Sequence, residues 1–206
     1  MIGRVAAYLA AMAAGCGIGI GTALGMAGLL PGSSTLDFGD VDVAGWHSDF
    51  AIGSEAADPY TRLRVARHGL LALAKSEAVY FTRSLDDDGA PLRETCRYRI
   101  GGGAMPAAWW SVTLYNSDSM LPDNTDNAMS IDAEWAGPGR WAATIQPRRP
   151  ELIAPTRPAV VNGWISSRNA GTFDLTLRLY APDAAVLSDP QSVLDPPTVQ
   201  RVDCEE

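Results

Sequence analysis

From Val5 to Leu30 the chain runs 26 residues without a charged side chain, preceded only by Arg4. As a helix rising about 1.5 Å per residue, the run reaches roughly 39 Å, enough to cross a ~30 Å hydrocarbon layer with some tilt. A helix that is apolar all round belongs in a membrane or at the centre of a large core. Residues 1–30 therefore read as a single transmembrane helix, an anchor or signal-anchor. Two rival readings stay open. One is a cleaved signal peptide, whose apolar region usually covers about 7–15 residues. The other is lipoprotein processing at Cys16, for which Ala13 is a poor leading residue and the apolar run Gly17–Leu30 a poor sequel.

Inside this segment Gly17, Gly21 and Gly25 fall four apart, with Gly15 and Gly19 in a neighbouring row. Glycines at that spacing leave a flat stripe on which a second helix can approach closely, so a membrane-protein partner is expected there. An Ala/Gly-rich stretch also produces the spacing by composition alone. Arg4 and the amino terminus should remain cytoplasmic. The expected location is then the bacterial inner membrane, crossed once, with the soluble part in the periplasm.

Sixteen basic side chains stand against 24 acidic ones, a net charge of −8. That balance disfavours a nucleic-acid partner, which needs positive surface to displace counterions. Two histidines and three cysteines are little material for a metal centre, and no cofactor is expected. With Cys16 in the apolar segment, Cys96 and Cys204 remain as a pair with no C-x-x-C spacing. In an exported domain they read as one disulfide pinning the tail, with two free thiols as the alternative.

Residues 31–57 are polar and rich in Gly, Ser and Asp, with Phe38, Trp46 and Phe50 scattered among them: a linker that docks in part. Asp58-Pro59 marks a helix start, Asp as the cap and Pro at the first helical position. Tyr60, Leu63, Ala66, Leu70 and Ala74 then recur close to a 3.6-residue period, giving one amphipathic helix of about 17 residues. His68 falls on its polar side. After it the period changes to two. Strands are expected over Ala78–Arg83, Thr95–Ile100, Ala107–Asn116, Trp141–Gln146, Val160–Ser166 and Phe173–Tyr180. In the last, Phe173, Leu175, Leu177 and Leu179 should face inward and Asp174, Thr176, Arg178 and Tyr180 outward. Residues 58–206 thus predict a mainly β fold: a jelly-roll-like antiparallel β-sandwich with one flanking amphipathic helix, preceded by the single transmembrane helix.

Three blocks carry a family resemblance. They are Lys75-Ser76-Glu77-Ala78-Val79-Tyr80-Phe81; Trp110 to Asn116 with Leu121-Pro122-Asp123-Asn124, Asn127 and Ser130; and Leu177 to Asp183. In this order and spacing the chain, from about Asp58 to Val202, resembles domain-of-unknown-function family 1214, in its short members with an amino-terminal membrane segment. The resemblance implies a jelly-roll β-sandwich of the cell envelope and supplies no agreed activity. Two departures stand out. Ala128-Met129 occupy the place of an Arg-Tyr pair, and Asn162-Gly163-Trp164-Ile165-Ser166 is a loosened Asn-Trp-Leu-Pro block.

The chain has no Gly-x-Ser-x-Gly elbow, no Gly-Lys-Ser/Thr phosphate loop and no His-Glu-x-x-His pair. Gly101-Gly102-Gly103 reads as a turn. Asp86-Asp87-Asp88-Gly89 reads as a hairpin turn, since it lacks the spaced ligands of a calcium loop. Trp110, Trp141 and Trp164 lie in strand-like runs and belong in the core. The best polar constellation is Tyr115, Asn116, Asp123, Asn124, Asn127 and Arg178. Asp and Asn gather in loops because they hydrogen-bond their own backbone, so a loop braced by Arg178 is the plain reading. A ligand mouth with Arg178 as its charged anchor is the functional one. These features favour a non-catalytic accessory or interaction subunit of an envelope or membrane complex. The alternative is an envelope hydrolase or a sugar- or lipid-binding protein working through the loop around residues 115–127.

Overall fold

The computed structural model describes residues 2–27, 29–30, 41–55, 57–67, 73–150 and 162–205. The first element, α1, spans Ile2–Met26, and its Gly3–Met26 stretch is long and apolar enough to cross a membrane. None of that stretch is buried against the rest of the chain; Tyr8, Met12 and Ile18 are all open to the outside.

The remainder is two β-sheets facing one another. One has six strands in the order β1 (Val41–Val43), β2 (Trp46–Ser48), β3 (Ala78–Arg83), β9 (Phe173–Pro182), β5 (Ala107–Asn116) and β6 (Ser130–Asp132), every pair antiparallel. The other has four: β10 (Thr198–Cys204), β4 (Cys96–Gly102), β7 (Trp141–Gln146) and β8 (Asn162–Ser166). Here β7 and β8 run parallel, so the sandwich is mixed rather than wholly antiparallel. A parallel pair needs a crossover of about a dozen residues or more, and residues 147–161 supply that length. Short helices complete the fold: α2 (Pro59–Arg67), α3 (Ala133–Ala136), α4 (Ala184–Ser188) and α5 (Pro190–Val193).

Alternation explains the core. Phe173, Leu175, Leu177 and Leu179 on β9 are all buried, with Trp110, Val112 and Leu114 beside them on β5. From the opposite sheet come Tyr98, Ile100, Trp141, Ile145 and Ile165. Trp110 and Trp141 stack at 4.8 Å across the sandwich, and Trp135 meets Trp141 edge-on at 6.5 Å. Trp164, expected in the core, is only half-buried: its strand lies at the sheet edge, and its indole N–H donates to the Gln146 carbonyl.

Four elements depart from the sequence reading. The stretch read as linker holds β1 and β2, joined by Ala44-Gly45, both at positive φ as a two-residue hairpin of matching twist requires. Trp46 in this hairpin is fully buried and donates its indole N–H to the carbonyl of Pro197. Helix α2 has the expected Asp58 cap, accepting from the Tyr60 and Thr61 amides; its described part is Pro59–Arg67, residues 68–72 of the expected helix lie outside the described residues, and Leu73 and Ala74 are no longer helical. It is covered at Thr61, while Leu63 stays exposed; Leu70 and His68 lie outside the described residues. Gly101 and Gly102 belong to β4 rather than to a turn. The turn at Asp86–Gly89 is as expected, closed by the Asp86 carboxylate on the Asp88 and Ala90 amides.

Candidate functional site

The six-stranded sheet turns an unusual face away from the core. Pairing of β9 with β5 and β3 sets Asp174 beside Tyr115, Thr176 between Thr113 and Thr82, Arg178 between Ser111 and Tyr80, and Tyr180 between Trp109 and Ala78. Side chains of paired residues share a face, so one polar and aromatic surface is assembled from three adjacent strands. Solvent-facing sheet positions are ordinarily open, yet Tyr80, Ser111, Asp174 and Thr176 are buried here, and Thr113, Tyr115 and Arg178 half-buried.

Arg178 organises this surface. Its guanidinium donates to the Tyr115 hydroxyl at 2.6 Å and to Thr113 Oγ1 at 3.1 Å. It also lies 5.3 Å from the Tyr115 ring centre and 6.0 Å from that of Tyr80, within the range of a cation–π attraction. Trp109 and Tyr180 pack together at 5.3 Å farther along the strands. Burial pushes the Asp174 carboxyl up to about 7, against the pull of Thr176 and the Arg178 charge. Burial likewise raises the Tyr80 hydroxyl, with Tyr180 adding to it and Arg178 opposing.

Of the constellation read from the sequence, only Tyr115 and Arg178 meet. The Asn116 side-chain oxygen accepts from the Asp118 and Met120 amides, closing the loop after β5. Asn124 donates to the Arg168 carbonyl and accepts from the Asp126 amide, and the Asp123 carbonyl accepts from Asn169. Asn127 stands at positive φ with its amide near the Thr125 carbonyl. The loop is therefore braced by the turn after β8 and not by Arg178. Its brace is a clamp the sequence reading missed: Asp126 accepts from Ser166 Oγ and from the Arg168 guanidinium, each at 2.6 Å. Asp174, Tyr80 and Trp109 were also missed, although strict alternation along β9 had already put Asp174 and Arg178 on one face.

The remaining residues fall elsewhere. Cys96 and Cys204 form a disulfide at facing positions of β4 and β10, 108 residues apart in sequence. Arg97 and Asp203 make an ion pair beside it. Gly17, Gly21 and Gly25 lie along the exposed α1; a Cβ on Gly17 or Gly21 would meet nothing within 4 Å, and one on Gly25 only the tip of Leu30. Among the described residues no group of three or more His, Cys, Asp or Glu side chains could hold a metal ion.

Residues 77–184, more than half of the chain, match the family model described as "Protein of unknown function (DUF1214)". The chain belongs to the DUF1214 family. The three blocks that carry the resemblance overlap β3, β5 and β9, the strands that build the Arg178 face. The VPA0106 protein from Vibrio parahaemolyticus is similar in fold: its crystal structure matches with a TM-score of 0.51 at 20% identity, over 71% of this chain and 36% of that one. An uncharacterized protein from Burkholderia cenocepacia matches with a TM-score of 0.43 at 14% identity, over 61% of this chain and 29% of that one. This DUF1214 chain thus spans about a third of the length of those structures. No curated protein matches it.

Proposed function

We propose that this DUF1214 protein is a membrane-anchored, exported β-sandwich that serves as a non-catalytic accessory or interaction subunit of a cell-envelope complex. The observation that carries the reading is α1, uncharged from Val5 onward and with none of its membrane-length stretch buried against the sandwich. Tyr8, Leu9, Met12, Ile18 and Ile20 all need a covering, and lipid is the covering their length and composition fit. The disulfide between Cys96 and Cys204 accords with an oxidising compartment on the far side, which in a bacterial inner membrane is the periplasm.

The glycines supply the partner side of the argument. Glycine costs about 1 kcal/mol relative to alanine inside a helix. Gly17 and Gly21 relieve no crowding within this chain, since the space around them is open. A second helix in the bilayer gives that spacing a use.

Gly21→Leu is the test, because leucine inserts at least as well and removes the flat stripe. After gentle detergent extraction from native membranes, the variant should insert at the native level and lose stoichiometric partners that the unaltered protein retains. Equal retention would make α1 a bare tether. Amino-terminal sequencing of the mature protein decides the anchor itself, and a start after Gly15 would overturn it. The rival hydrolase or ligand reading through the loop at residues 115–127 is weakened, because Asn116 and Asn124 bond the loop's own backbone and its supporting turn.

A further inference from the structure

We infer that the outward face of the six-stranded sheet is a binding site for a small oxyanion, a carboxylate or a phosphate, held by the guanidinium of Arg178. The site goes beyond the accessory role and rests on separate observations.

Arg178 sits half-buried in the middle of three paired strands, where a cation is poorly hydrated. Both its hydrogen bonds go to neutral hydroxyls, Thr113 and Tyr115, and it forms no ion pair among the described residues. Contrast the other covered arginines among the described residues of the sandwich: the buried Arg83 pairs with Asp87 and the half-buried Arg168 with Asp126. The hydroxyls of Thr113 and Tyr115 fix the guanidinium plane while leaving its other N–H donors for a ligand. A planar fork with donors to spare matches the two oxygens of a carboxylate or phosphate. The rings of Tyr80 and Tyr115 flank it and keep bulk water from screening the contact. Asp174 is the one acidic side chain sharing this face of β9, and it stands four positions from Arg178 along the strand, beyond ion-pair distance.

Titration calorimetry on the full chain in neutral detergent tests the site with defined probes: benzoate and phenyl phosphate, benzyl alcohol as the uncharged control, and phosphatidylglycerol mixed into the micelle. Saturable binding of benzoate or phenyl phosphate identifies a soluble ligand. Saturation by phosphatidylglycerol alone identifies a lipid headgroup; either result supports the oxyanion site, and benzyl alcohol should give no signal. Arg178→Gln should weaken binding at least tenfold with its thermal transition retained. Tyr115→Phe, which keeps the ring and removes the hydroxyl that orients the guanidinium, should weaken it several-fold and serves if Arg178→Gln does not fold. The inference is overturned if none of the three anionic probes saturates below about 10 mM. It is equally overturned if benzyl alcohol binds as well as they do, or if a folded Arg178→Gln or Tyr115→Phe protein binds like the original. None of these results bears on partner retention through α1, so the two readings fail separately.

Discussion

The indole ring of Trp135 occupies the space where any side chain on Gly163 would have to begin: a Cβ there would lie 2.2 Å from the ring. Trp135 in turn rests on Trp141, which stacks on Trp110, so the ring has little room to withdraw. Gly163→Ala should therefore destabilise the sandwich by about 1–3 kcal/mol, as overpacking of a filled core does. Denaturant unfolding of the full chain in detergent would show it. An unchanged midpoint would mean that β8 shifts outward freely.

Trp46 predicts the largest single loss. It is fully buried and hydrogen-bonded to Pro197, and it fastens the β1–β2 hairpin to the segment before β10. Trp46→Ala should cost about 3–5 kcal/mol. Trp46→Phe, which keeps most of the apolar volume and loses the N–H, should cost less. The comparison of the two unfolding midpoints checks the packing share.

Asp174 gives a pH dependence of definite sign. Its carboxyl titrates at about 7 in the folded chain against 3.8 ordinarily, because burial disfavours the charge. Between those values the folded protein holds a proton that the unfolded chain releases. The contribution is complete below the ordinary carboxylate value and is lost as pH rises through about 7. Unfolding measured near pH 5 and near pH 8 should differ by on the order of 2–3 kcal/mol more in the native protein than in Asp174→Asn. Parallel profiles for the two proteins would rule this out.

The Cys96–Cys204 bridge closes a loop of 108 residues in sequence, which in the chain-entropy account stabilises the fold by about 4–5 kcal/mol. Non-reducing peptide mapping should recover the linked peptides. Cys204→Ser should lower the unfolding midpoint and release β10 first, since Val199 is the only residue of that strand that is buried. Hydrogen exchange at residues 198–204 reports it.

The long strands were legible because most of their length alternates: Phe173, Leu175, Leu177 and Leu179 announce β9, and Trp110, Val112 and Leu114 announce β5. The short ones were not. Three-residue strands such as β1, β2 and β6 hold too few alternations to outweigh neighbouring Gly and Asp, and the Ala44-Gly45 turn lacks the usual Asn or Asp. At the site, Tyr115 and Arg178 were legible as polar residues in strong strands. Their company was not, because Tyr80 and Asp174 come beside them only through strand pairing across distant sequence. Asn124 and Asp123 were gathered into the same group by proximity in sequence, and in space they belong to the turn at Arg168 and Asn169.

The bond between Trp46 and Pro197 joins residues 151 apart in sequence. A ribosome making this chain delivers Trp46 151 residues before the carbonyl that anchors it. Until the segment from Pro197 through β10 emerges, Trp46 lacks its hydrogen bond and β4 lacks its outer neighbour. Closure of the sandwich therefore waits on a pairing across most of the β region rather than on local folding, and it is slow in the way that distant pairings are slow.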